Sequence, residues 1–181
     1  DTHVLHAEHE GKYLHILDAP GTPDFIGAAL EALTAVETAI VVLSATNGIE
    51  VNSRRMFKEA SDRGLSRVIV INKLDLDKVD LPALIANIQE TFGRQCIPFN
   101  VPNGIGESFS GVLCTLQPVE NVPGTCPIDP NQVRSQIIDA VVEADETLTE
   151  KFLVEGSVTA EELESAIPKA LEAGTLIEAL Q

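Results

Sequence analysis

Two tetrapeptides hold the residue types best suited to chemistry in this chain: Asp18-Ala19-Pro20-Gly21 and, roughly fifty residues on, Asn72-Lys73-Leu74-Asp75. Each directly follows a short apolar run, and in an open parallel sheet ligands bind beyond the carboxyl ends of such strands. Taken alone, neither is distinctive. A turn through Pro20 and Gly21 is commonly only a turn, and Asn72, Lys73 and Asp75 commonly make a solvated loop. Their order, spacing and shared position at strand exits raise both to candidate ligand-binding loops. Other reactive types carry less weight. His3, His6, His9 and His15 invite a metal site, yet along extended chain their spacings turn them to alternating faces. Cys96, Cys114 and Cys126 form no close-spaced ligand pair, and Cys114 and Cys126 read as buried small hydrophobes.

Loops at strand exits need strands behind them. The runs 13–17, 39–43 and 68–71 lack in/out alternation and read as strands buried on both faces of a parallel sheet. Between them lie helical stretches over 25–33, with Ile26, Ala29, Leu30 and Leu33 on one face, and over 52–63, stopped by Gly64. The alternation is βαβαβ. A third helix is expected over 80–92, where Leu84, Ile88 and Phe92 recur, Asp80 caps and Gly93 terminates; a strand over 97–101 comes next.

At Pro102 the texture changes. Asn103, Gly104, Gly106 and Ser108 make a loop, and Pro118, Pro123, Gly124, Pro127 and Pro130 punctuate the stretch beyond it, as in an inserted lobe. There the pattern predicts an edge strand or hairpin arm over 111–116 and a helix over 131–144 capped by Asp129, continuing through 146–153. Thr159 and Glu162 form a capping box ahead of Leu163, Ile167 and Leu171, a stripe that Pro168 should kink or split. After Gly174, the segment 176–180 suits a returning strand.

The 181 residues, 44% hydrophobic, suffice for one sizeable core with a small appended lobe. No apolar run approaches the ~18 residues that span a bilayer, and the first ten residues are polar rather than signal-like. Odd, unpaired cysteines suit a reducing compartment, so a cytoplasmic address is expected. A net charge of −16 repels phosphate backbones, and one Tyr with no Trp gives no base-stacking platform, so no direct nucleic-acid binding by this segment is expected.

With these residues in view, the sequence resembles the translational GTPases, elongation factor G most closely. DAPG, residues 18–21, is similar to the family's DxxG switch-II motif, and NKLD, 72–75, to its NKxD guanine-recognition motif. The segment NGIEVNS, 47–53, resembles the family's post-strand stretch, and IPFNVPNGIGESFSGVLCTL, 97–116, the entrance to the inserted lobe that marks elongation factor G. The likeness covers nearly the whole chain. It implies a phosphate-loop-NTPase-like parallel sheet flanked by helices, incomplete, with an inserted α+β lobe: core over 1–101, lobe over 102–174, and the start of a returning core strand over 175–181.

The resemblance also implies roles. GTP or GDP and Mg²⁺ would bind in the full-length parent, with Asp18 acting on Mg²⁺ through water and Gly21 offering its backbone N–H to the γ-phosphate. Asp75 would accept two N–H bonds from the guanine edge, Asn72 would hold neighbouring loops and contact the base, and the stem of Lys73 would lie over its face. Phosphate loss would release residues 19–29. The lobe would contact the stalk protein of the large ribosomal subunit.

Two departures qualify this. No G-x-x-x-x-G-K-[ST] occurs; the one Gly-Lys pair is Gly11-Lys12, followed by Tyr13. A fragment that is inactive alone, from a parent GTPase, is the economical reading. The family usually follows its switch-II glycine with a water-positioning histidine, whereas Thr22-Pro23 follows Gly21 here. Catalysis would rest on Gly21 and Thr22, and slow or differently organised hydrolysis is expected. The rival readings are a nucleotide-independent module docking on the ribosomal stalk or another partner, and a phosphate-loop GTPase without translational work.

Overall fold

The computed structural model of the chain describes residues 2–174 and 176–180. Strands β1 (His3–His9) and β2 (Lys12–Asp18) come first, then a 3-10 turn over Pro23–Phe25 running into helix α1 (Ile26–Ala32). Strand β3 (Thr38–Ser44), helix α2 (Val51–Asp62), strand β4 (Ser66–Asn72) and helix α3 (Leu81–Phe92) follow. Next come the short strands β5 (Cys96–Pro98), β6 (Asn100–Pro102) and β7 (Val112–Cys114). Helices α4 (Pro130–Ala144), α5 (Glu146–Glu155) and α6 (Ala160–Ala173) lead to strand β8 (Ile177–Leu180).

The central sheet has the order β3-β4-β8-β5, all parallel, and the expected returning strand inserts between β4 and β5. Residues 175 and 181 of the expected returning segment lie outside the described residues. The segment read as one strand over 97–101 divides: β5 joins the sheet, Phe99 donates its N–H to Ala179 O at 2.9 Å, and β6 turns away to pair antiparallel with β7.

Burial follows this layering. Val41, Leu43, Ile69, Ile71, Cys96, Ile177 and Ala179 pack beneath α2 and α3 with Phe57, Leu84, Ile88 and Phe92. The other face of the β5 and β8 side supports α4, α5 and α6, so Ile97, Phe99 and Leu176 join Ile137, Val141, Leu163 and Ala170. Successive residues such as Cys96 and Ile97, or Leu176 and Ile177, thus enter different cores, as the pleat requires. Thr115, fully buried, is reconciled by donating to Pro98 O at 3.2 Å.

Further expectations are corrected. The strand over 13–17 forms as β2, but outside the parallel sheet: it pairs antiparallel with β1, closed by Glu10 (φ 50) and Gly11 (φ 74). Its residues other than half-buried Leu17 are exposed rather than buried on both faces. Likewise β3 buries only Ala39, Val41 and Leu43, while Ile40 and Val42 stay 58% exposed on the face no helix covers. Apolar composition marks a strand; it does not say which faces are covered.

Another correction is Cys114, which is exposed, with Cys126 only half-buried. Finally, α6 runs unbroken through Pro168. Its capping box and its stripe of Leu163, Ala166, Ile167 and Ala170 against α4 outweigh one lost backbone hydrogen bond. Between α4 and α5 the chain does not simply continue helical: Asp145 leaves helical geometry and caps α5 through the N–H groups of Thr147 and Leu148.

Candidate functional site

The NKLD loop leaves the carboxyl end of β4. Asn72 Oδ1 accepts from the Lys73 N–H at 2.8 Å, and Lys73 takes the left-handed conformation, φ 67. That backbone costs a side-chain-bearing residue roughly 1–2 kcal/mol and must be held by its neighbours. Leu74 does so from below, 4% exposed in the core beneath the sheet, while its carbonyl accepts from Gly106 N at 2.8 Å. A Cβ at Gly106, φ 62, would lie 3.2 Å from Asp77 Oδ1, so the approach of this second loop depends on glycine. With Leu74 drawn inward, Asn72, Lys73 and Asp75 are exposed on the other side. Asp75 makes no hydrogen bond or ion pair among the described residues.

The neighbouring strand exit is stitched to this loop. Ala45, just past β3, donates to Asn72 O at 2.8 Å, and Gly48 donates to Ser44 O at 2.8 Å, turning the chain toward α2. In the first turn of α2, Asn52 Nδ2 donates to Gly21 O at 3.0 Å, across 31 residues of sequence. The DAPG loop is therefore tethered to the start of α2 at the same carboxyl end of the sheet where NKLD emerges. A side chain at Gly21 would meet nothing within 4 Å. Thr22, N-cap of the 3-10 turn, makes no side-chain capping bond and is exposed.

Asp18 stands at the end of β2 opposite His3, exposed. No hydrogen bond or ion pair joins it to Asn72, Lys73 or Asp75 among the described residues. Separate hydrogen bonds thus tie Gly21 to α2 and Asn72 to the exit of β3, whereas Asp18 belongs to a hairpin with its own register. Sequence reasoning does not single out Asn52, Leu74 or Gly106. Asn52 lies within a stretch whose family likeness is visible, but its contact with Gly21 is long-range. For Leu74 the signal is an apolar residue inside an otherwise polar loop.

Behind the loops α2 and α3 are locked by stacked Phe57 and Phe92, ring centroids 4.2 Å apart, with the Arg67 guanidinium 5.0 Å from the Phe57 ring. Arg67 Nη1 donates to Ser61 Oγ at 3.0 Å. Burial pushes the Cys96 thiol up to about 12 against a smaller opposing pull from Arg67, so it stays protonated and serves packing. Among the described residues no three or more His, Cys, Asp and Glu side chains gather as a metal site, and no helix is long and apolar enough to cross a membrane.

Helices α4, α5 and α6 present a different surface. Leu153 and Val154, at the end of α5, are 80% and 86% exposed. Beside them a cleft of about 240 Å³ is lined by Ile138, Asp139, Phe152 and Val158 among others.

The profile of the family described as Elongation factor Tu GTP binding domain matches residues 1–178. An elongation factor G-like protein from Thermotoga maritima is 26% identical over 99% of this chain, which corresponds to 27% of that protein. A crystal structure from Thermus thermophilus superposes with a TM-score of 0.84 at 30% identity, covering 99% of this chain and 29% of that one. The chain therefore spans under a third of the length of these relatives. The chain belongs to the elongation factor Tu GTP binding domain family, as a translational GTPase domain of the elongation factor G-like kind.

Proposed function

We propose that the DAPG and NKLD loops form the two halves of a guanine-nucleotide site, Asp75 reading the base and Gly21 meeting the terminal phosphate. The single observation that carries this is the hydrogen bond from Asn52, in the first turn of α2, to Gly21 O, which holds the DAPG loop at the end of the sheet where NKLD follows β4. The residues fit such a ligand. Asp75 keeps both carboxylate oxygens free to accept the guanine N–H pair, and the space beside Gly21 leaves its backbone open to a phosphate. Asn72 shapes the loop through its bond to Lys73, which leaves the Lys73 stem free to lie on a base.

Asp18, an exposed and unshared carboxylate, suits Mg²⁺, a hard cation that retains much of its water. When bound, Mg²⁺ would neutralise charge on the phosphates. Thr22, with its hydroxyl unengaged by the turn it caps, can hydrogen-bond a water but cannot carry positive charge, so hydrolysis by the parent is slow or differently organised. We assign residues 1–101 to the nucleotide-binding core, 102–174 to the inserted lobe and 175–181 to the return into the core.

In the parent the site would couple hydrolysis to the ribosome. Equilibrium binding of GTP and ATP analogues to the intact parent tests the base-reading role. Selectivity for guanine that survives Asp75→Asn overturns it.

A second reading is favoured by Leu153 and Val154: the lobe docks on a protein partner, the large-subunit stalk protein in the first instance, whether or not nucleotide is bound. The cleft beside this patch carries both Arg134 and Asp139, so an apolar partner surface with charges of both signs is the complement. Binding of the purified stalk protein that is unchanged by nucleotide and lost in Leu153→Asp/Val154→Asp supports this role; equal binding by that variant rejects the surface.

A further inference from the structure

We propose that His6 and His15 form a two-histidine site for a divalent transition-metal ion of the zinc class on the β1–β2 hairpin. Sequence spacing alone argues against any such site, because successive histidines turn to opposite faces. The hairpin changes the geometry. In its register His6 lies directly opposite His15, and directly opposed residues of an antiparallel pair share a face.

The pairing type follows from the turn. Glu10 and Gly11 form a two-residue loop with positive φ at both positions, so the flanking pair His9 and Lys12 is the first hydrogen-bonded pair. Hydrogen-bonded and open pairs then alternate, which makes His6 and His15 an open pair, the kind whose Cα atoms approach to about 4.5 Å. Two imidazoles carried that close can reach one ion from the same side of the ribbon.

Neither ring is claimed by another group. Both residues are exposed, and neither makes a hydrogen bond or ion pair among the described residues. The remaining histidines sit differently: His3 and His9 occupy the opposite face, His3 across from Asp18 and His9 with Nε2 3.9 Å from Glu10 Oε1. Two imidazoles suit zinc, nickel or copper rather than magnesium. With no third ligand gathered there among the described residues, water completes the coordination, and Glu8, two positions from His6 on the same face, is the nearest carboxylate along the strand. Binding would clamp β1 to β2 in this register, three residues before Asp18.

The test is calorimetric titration of the full chain with Zn²⁺, and with Mg²⁺ as control. One equivalent of Zn²⁺ with a micromolar dissociation constant is expected, unaffected by excess Mg²⁺. His6→Gln and His15→Gln should each weaken it by at least the roughly ten-fold that even an outer-shell partner is worth. His3→Gln and His9→Gln should leave it unchanged. All four positions are exposed, so the variants remain folded; circular dichroism checks this. Affinity that survives loss of His6 or His15, or that falls equally on loss of His3 or His9, overturns the site. So does the absence of binding.

Discussion

In the proposed site, selectivity reduces to the Asp75 carboxylate on a loop held from both sides, by buried Leu74 below and by the Asn72 side chain before it. Replacing it with Asn removes the charge and one acceptor while leaving the loop's supports untouched. A site built to satisfy a ligand's N–H pair discriminates by about 10⁴-fold against a ligand that lacks it. Asp75→Asn in the parent should therefore lower GTP affinity steeply while ATP affinity stays flat, measured by competition with a fluorescent analogue. Thr22 carries a second prediction. Its hydroxyl directly follows the DAPG glycine, so Thr22→Ala should reduce single-turnover GTP hydrolysis by the parent without altering nucleotide affinity; an unchanged rate removes Thr22 from the mechanism.

Elements were legible where a local device sets them. Asp80 caps α3 through Ala83 N at 3.1 Å, Gly64 and Gly174 take positive φ after their helices, and the box of Thr159 and Glu162 closes on α6, all as side-chain chemistry dictates. The DAPG and NKLD loops were legible as motifs for the same reason. The features hidden from sequence depend on distant partners: which faces of β2 and β3 are covered, the division of 97–101 between two sheets, and the reach of Asn52 to Gly21. The capping box also makes α6 sensitive to acid. Glu162 is held down to about 2, first by Lys151 and then by the backbone and hydroxyl of Thr159, against an ordinary 4.5. A depressed carboxyl contributes stability that is complete above its unfolded value and lost as pH falls toward its folded one. Asp145, lowered chiefly by Lys169, acts in the same direction at the start of α5. Thermal melts should therefore drop as pH falls from about 4.5 to about 2, and Glu162→Gln should flatten that drop. Thr159→Ala should cost about 1 kcal/mol at neutral pH.

For the whole molecule, the question is how far one loop pair can bind nucleotide unaided. The sequence has no G-x-x-x-x-G-K-[ST], so the anion-binding backbone that cradles the inner phosphates in phosphate-loop proteins is not among its residues. The proposed site offers instead Asp75 for the base, Asn72 and the Lys73 stem beside it, and the Gly21 N–H for the terminal phosphate. Each hydrogen bond to a charged group is worth roughly 1.5–3 kcal/mol net, and a neutral one roughly 0.5–1.5. Against that stands an association cost of about 4 kcal/mol or more, while sub-micromolar binding needs more than about 8 kcal/mol of net free energy. The contacts cannot close that gap, and a net charge of −16 adds repulsion of a polyanionic ligand. GTP should accordingly bind this chain only weakly, with a dissociation constant well above micromolar in a fluorescence titration at physiological salt. Raising the salt should leave binding unchanged or strengthen it slightly, since it screens that repulsion while the base contacts are short-range. A sub-micromolar constant on these residues would mean that the phosphates find a cradle elsewhere in the chain, and the division of labour between the two loops would have to be redrawn.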